Sequence, residues 1–249
     1  MRPDLILLLG ALGLCFGSMA LFGLRYDKSS QDSLESIERG TFILGEFVRS
    51  WFLWFIGPAV QLALRGGLSP FFFNLAGAVF GIAAGVGFAL GMPVLGGWCV
   101  FLGGTADVFD GRVARARGLA SPKGAFLDST LDRFAEIGVF AGLAVYFHAR
   151  PIVSLMVALA LGGSLLVSYT RARGESQGVL CKVGIMQRAE RLLLLGFAGL
   201  LDSSVAEWTG QPSGTLLALV ITGIAIGTVG TAVYRTIWIS TRLPSSEDS

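Results

Sequence analysis

Four aspartates in this chain are spaced so that they could hold metal ions together. The stretch reads Asp107-Val-Phe-Asp110-Gly111-Arg-Val-Ala114-Arg115, then eight residues to Gly124, three to Asp128 and three more to Asp132. Residues three or four apart share one face of a helix. Asp107 and Asp110 therefore stand together at the end of one helix, and Asp128 and Asp132 together on the next. The short basic turn at 118–123 predicts that these helices are antiparallel neighbours. Four converging carboxylates repel one another and lose hydration, so something positive must sit among them. Oxygen donors without histidine or thiolate suit Mg²⁺ or Mn²⁺ and disfavour zinc. Two such ions could neutralise a pyrophosphate and polarise its phosphorus towards attack. Gly111, Ala114 and Gly124 carry no bulky side chain and leave room for a nucleotide or phosphate. Arg115 can hold a phosphate oxygen with its planar fork.

Two other readings use the same residues. The aspartates could pair with Arg112, Arg115, Arg117 and Arg133 in a purely structural network. They could also line the cation path of a transporter, which would place them nearer mid-bilayer.

The elements that carry these residues belong in a membrane. Of the 249 residues, 53% are hydrophobic and only 14% charged, against about 25% charged in soluble domains. Apolar runs of spanning length, roughly 20 residues, lie at 5–24, 71–90, 94–116, 125–147, 152–169, around 192–201 and at 216–239. The aromatic stretch 50–64 is interrupted by Gly57-Pro58 and suits an amphipathic, interfacial or re-entrant helix. The expected fold is all-α and polytopic. Six transmembrane helices form the body at 67–240, residues 1–66 form an anchor and juxtamembrane region, and 241–249 form a polar tail. Residues 5–24 read as an uncleaved anchor, because the Met-Arg-Pro-Asp start has no net positive charge. A signal peptide cut near Ser18-Met19-Ala20 is the rival reading.

Positive charge assigns the sides. Arg25, Lys28, Arg39, Arg49 and Arg65, then Arg112, Arg115, Arg117 and Lys123, then Arg171, Arg173, Lys182, Arg188 and Arg191, and finally Arg235 and Arg242 all fall in connections or helix ends of one side. That side is expected to face the cytoplasm. The opposite connections carry little beyond Arg150. The three cysteines form no CxxC or Cys/His cluster and imply no disulfide framework.

At every specified position the motif Asp-x2-Asp-Gly-x2-Ala-Arg-x8-Gly-x3-Asp-x3-Asp resembles the signature of the CDP-alcohol phosphotransferases. The resemblance implies a six-helix body in the cell membrane, an active site facing the cytoplasm, and a homodimer with no nucleic-acid partner. It implies Asp107, Asp110 and Asp128 as ligands of Mg²⁺ or Mn²⁺, with Asp132 both near the metals and serving as the base. Gly111, Ala114 and Gly124 would border the cytidine nucleotide, and Arg115 would help hold its phosphates. The implied reaction moves a phosphatidyl group from a CDP-linked lipid such as CDP-diacylglycerol to an alcohol and releases CMP. All four aspartates are present, which argues against a catalytically dead scaffold.

The loop Ser168-Tyr-Thr-Arg171-Ala-Arg173-Gly-Glu175 and the later Gln187-Arg188-Ala-Glu190-Arg191 resemble the segment of phosphatidylinositol-phosphate synthases and their archaeal ether-lipid relatives. In those enzymes basic residues at the positions of Arg171, Arg173, Arg191 and Arg235 surround the acceptor phosphate. Four guanidiniums beside one cavity suit a dianionic acceptor, which points to inositol phosphate ahead of glycerol 3-phosphate or another alcohol. The same charges would also satisfy the positive-inside rule alone. The chain departs from the family pattern where Phe71 follows Pro70 in place of asparagine. Asn74 takes the position usual for threonine and is expected to serve as a polar nucleotide contact. The region 1–66 is also longer than the family's juxtamembrane helix.

Overall fold

A computed structural model describes residues 3–24, 45–181 and 183–243 of the chain. Arg25, Lys28, Arg39, Lys182 and most of the 241–249 tail lie outside the described residues. All regular structure among the described residues is helical. The chain divides into two compact units, Met1–Leu68 and Ser69–Ser249.

The first unit holds α1 (Pro3–Gly23) and α2 (Gly45–Arg65). Trp51 donates its indole N–H to Ser18 Oγ at 3.1 Å, and Phe22 packs on the rings of Phe47 and Trp54. The expected interruption at Gly57-Pro58 is absent. α2 runs unbroken for 21 residues with Pro58 inside it, because a proline withholds only its own N–H and the flanking turns keep theirs.

The second unit holds α3 (Pro70–Ala89), α4 (Pro93–Ala116), α5 (Pro122–Tyr146), α6 (Pro151–Ser176), α7 (Arg188–Thr209) and α8 (Thr215–Ser240). Four successive helices open on proline, whose fixed φ and missing N–H suit the first turn. Ser69 and Ser121 cap α3 and α5, accepting the amides of Phe72 and Gly124 at 3.2 Å each. The helices close a ring in the order α3, α4, α7, α8, α6, α5 and back to α3. Buried Phe88, Phe140, Leu143, Leu195, Ile221 and Ile224 belong to the apolar core inside it. Asp202 of α7 fastens the start of α8, accepting the amides of Gly214 at 2.6 Å and Leu217 at 3.1 Å. Those donors would otherwise be orphaned at a helix N-terminus.

α3, α6, α7 and α8 are long and apolar enough to cross a membrane. α4 and α5, with 24 and 25 residues, match them in length but carry the charged residues of the site. The chain is thus an all-helical, multi-pass membrane protein.

Two expectations need correction. α4 and α5 are not close neighbours, because α3 packs against both. Glycine makes that approach possible. A Cβ on Gly142 of α5 would meet the backbone of Gly85 of α3, and a Cβ on Gly85 would meet the carbonyl of Gly138. Small residues permit such backbone contact between helices in lipid. Second, the segment 168–175 is helix, not loop. α6 continues to Ser176, braced by the i,i+4 pair Arg171–Glu175 at 2.8 Å, and the left-handed Gly178 (φ 81°) follows its end.

Candidate active site

Four helices, α3, α4, α5 and α7, present polar side chains at one end of the ring. Asp107 and Asp110 lie in the last three turns of α4, and Asp128 and Asp132 in the first three of α5. Single carboxylate oxygens from Asp107, Asp110 and Asp128 all lie within 4.8 Å of one another. Asp110 is buried, while Asp107 and Asp128 are half-buried. Three carboxylates this close form an all-oxygen donor set, which is the chemistry of Mg²⁺ or Mn²⁺. Asp132 is outside that set of three, on the next turn of the α5 face that carries Asp128.

α3 contributes Asn74 from between the two acidic helices. With its amide nitrogen facing the carboxylates, Asn74 donates to Asp128 Oδ1 at 2.9 Å and also to Asp110 Oδ2. Asn74 therefore touches two of the three clustered acids.

The side chain that joins Asp132 to the cluster comes from α7. Arg188 places Nη1 2.6 Å from Asp107 Oδ1 and Nη2 2.6 Å from Asp132 Oδ1. Arg133 lies further off, with Nη2 4.0 Å from Asp132 Oδ2. Arg188 is an i,i+3 neighbour of Arg191, and Asp132 an i,i+4 neighbour of Glu136, so the four form two rungs between α7 and α5. In the inner rung, Arg191 donates Nε and Nη2 to Glu136 Oε1 at 3.0 and 2.5 Å, and Nη1 to the Met186 carbonyl at 3.0 Å. Arg133 completes Glu136 through Oε2 at 2.8 Å.

These rungs line a cavity of roughly 30 Å³ whose other walls include Gly77, Gly81 and Gly103. Sequence reasoning missed Glu136 altogether and read Arg188 only as a cytoplasmic charge. The signal for both was periodicity. Glu136 extends the Asp128–Asp132 stripe by four residues into an apolar segment, and Arg188 and Arg191, three residues apart, share one face of a later helix.

The remaining expected residues are distributed unevenly. The Arg115 guanidinium folds over Gly111, where an added Cβ would meet its nitrogens at 3.4 and 3.5 Å. Ala114 is half-buried one residue away. Gly124 gives its amide to the Ser121 cap. Of the four arginines expected around an acceptor phosphate, Arg171 and Arg173 are exposed near the end of α6. Arg191 and Arg235 are buried. Arg235 donates to the carbonyls of Val183 and Val167, each at 2.7 Å. Arg171 and Arg191 are nonetheless among the charged groups near Arg235.

Comparison with known proteins bears on this arrangement. The sequence model of the CDP-alcohol phosphatidyltransferase family matches residues 64–229. The chain is 33% identical over 210 residues to a phosphatidylinositol phosphate synthase of Streptomyces avermitilis, covering 80% of this chain and 84% of the relative. It is 37% identical over 154 residues to an archaetidylinositol phosphate synthase of Methanothermobacter thermautotrophicus, covering 62% of this chain and 76% of that protein. Among solved structures, it is similar to Mycobacterium tuberculosis phosphatidylinositol phosphate synthase with CDP-DAG bound. There the TM-score is 0.65 and the identity 28%, over 74% of this chain and 92% of the other. The same enzyme in complex with manganese and citrate gives a TM-score of 0.65 at 28% identity, over 74% and 88% of the two chains. The match to the family model spans most of the chain, including every aspartate of the cluster, and the chain belongs to the CDP-alcohol phosphatidyltransferase family.

Proposed function

We propose that this chain transfers the phosphatidyl group of CDP-diacylglycerol to a hydroxyl of inositol phosphate, giving phosphatidylinositol phosphate and CMP. The observation that carries the reading is the cluster of Asp107, Asp110 and Asp128 with Asp132 held beside it. It occurs in a chain whose relatives are named for making inositol-phosphate lipids, one of them crystallised with CDP-DAG and with manganese.

Asp107, Asp110 and Asp128 hold the divalent cations, Mg²⁺ or Mn²⁺. When bound, these supply charge neutralisation for the pyrophosphate. Asp132 takes the proton from the acceptor hydroxyl as its oxygen attacks the phosphorus of the lipid-bearing phosphate. The bond from that phosphorus to the oxygen of the CMP phosphate breaks, and CMP leaves with the electron pair. An isolated aspartate, with a pKa of about 3.9, is a weak base for an alcohol. Positioning must therefore supply much of the rate. Arg188 fixes Asp132 through Oδ1, which keeps Oδ2 for the proton.

Gly111, Ala114 and Gly124 border the nucleotide, Arg115 holds its phosphates, and Asn74 shapes that wall from α3. Arg171 and Arg173 receive the acceptor phosphate at the mouth, with Arg191 and Arg235 behind them. The body spans the cell membrane six times as a homodimer and opens to the cytoplasm, as the one-sided distribution of basic residues supports. Residues 1–66 form its anchor and juxtamembrane region.

A CMP-release screen tests the acceptor. With CDP-diacylglycerol and Mn²⁺, inositol 3-phosphate is expected to outperform inositol, glycerol 3-phosphate and serine, and Arg171→Ala to erode that preference. Free inositol or serine as best acceptor contradicts it.

A further inference from the structure

We propose that Arg188 is a built-in counter-cation of the acidic site, one that competes with divalent metal for Asp107 while it positions Asp132. The inference rests on the metal-site reading above and goes beyond it.

Three observations carry it. First, the guanidinium divides evenly, with one Nη 2.6 Å from Asp107 and the other 2.6 Å from Asp132. These carboxylates come from α4 and α5, and only Asp107 belongs to the tight cluster. Two acids assigned different tasks are thus tied to a single cation on a third helix. Second, Arg188 is the first residue of α7. A helix N-terminus is the wrong end for a positive charge, so the acids, not the helix, hold it there. Third, the two rungs of the α5–α7 ladder differ in accessibility. Arg191 and Glu136 are sealed at 2% and 7% exposed, while Arg188 is 22% and Asp132 16% exposed. The α4 partner Asp107, at 31%, is the most open of them, so it is on Asp107 that Arg188 can exchange with ions from solution. A divalent ion and a guanidinium on the same carboxylate repel one another, and each therefore weakens the other's hold on Asp107. In the metal-free protein Arg188 keeps the acids from splaying. When metal enters, it yields Asp107 and stays on Asp132.

The test is a Mn²⁺ titration followed by electron paramagnetic resonance on purified full-length protein without substrates, beside thermal melts with and without Mn²⁺. Arg188→Gln is expected to bind Mn²⁺ roughly tenfold more tightly than wild type. It should melt at a lower temperature without metal and gain more than wild type on Mn²⁺ addition. Its kcat should fall, with partial recovery in Arg188→Lys. A merely structural ion pair would lower stability and leave Mn²⁺ affinity unchanged or weaker, and that outcome overturns the proposal. If Arg188→Gln does not fold, Arg188→Lys decides. Its ammonium meets one carboxylate at a time, so Mn²⁺ affinity rises by a smaller factor, and an unchanged affinity overturns the proposal. Asp110→Asn separates the two levels of the argument. It should lose Mn²⁺ binding, whereas wild-type binding there overturns the metal-site reading on which the counter-cation depends.

Discussion

Arg191 rests two of its nitrogens on one oxygen of Glu136, at 3.0 and 2.5 Å, with the arginine only 2% exposed and the glutamate 7%. The pair ties α7 to α5 one turn inside the ring from Arg188 and Asp132. It fixes the angle at which the outer pair meets.

Removing the acid of that inner pair strands a buried guanidinium. Such losses cost about 3–5 kcal/mol, so Glu136→Ala is expected to lower the melting temperature sharply in detergent or nanodiscs. Glu136→Gln keeps an acceptor for Arg191 and should lie between the two. A melt of Glu136→Ala matching wild type would show that Arg191 has found another partner.

Asp132 is predicted to serve chemistry more than metal binding. Asp132→Asn should lower kcat by about 10²–10⁴-fold, the usual worth of a general base. Its Mn²⁺ affinity should stay within a few-fold of wild type, because the three clustered carboxylates remain. Single-turnover CMP release and an equilibrium Mn²⁺ titration separate these effects. Loss of Mn²⁺ binding in this variant would move Asp132 into the ligand set.

The seam between α3 and α5 leaves no room for a side chain. Gly142→Ala places a methyl against the backbone of Gly85, an overpacking expected to cost about 1–3 kcal/mol. It should also reduce activity by moving Asn74 away from Asp128. Gly162→Ala meets nothing within 4 Å and should melt like wild type. Thermal melts of the two variants side by side check the pair.

Much of this site was legible in the amino-acid order because its parts are local. Asp107 with Asp110, and Asp128 with Asp132, declare their shared faces through helical spacing alone, and the apolar runs mark the helices that carry them. What spacing could not show was which helices meet. The short turn at 118–123 suggested that α4 packs on α5, but glycine-to-glycine contact lets α3 come between them. Asn74 consequently reaches both acids. Arg188 lies 81 residues from Asp107, and no local pattern announces a contact at that range. Arg171 illustrates the other failure: its Arg/Gly-rich surroundings resemble a loop, yet its i,i+4 pair with Glu175 sustains the helix.

The central claim is that Asp107, Asp110 and Asp128 together hold divalent cations. Anomalous diffraction from crystals grown with Mn²⁺, collected near the manganese edge, tests it most directly. At least one strong peak is predicted within bonding distance of oxygens from all three residues. Peaks elsewhere only, with the three carboxylates still occupied by Asn74 and Arg188, would contradict it.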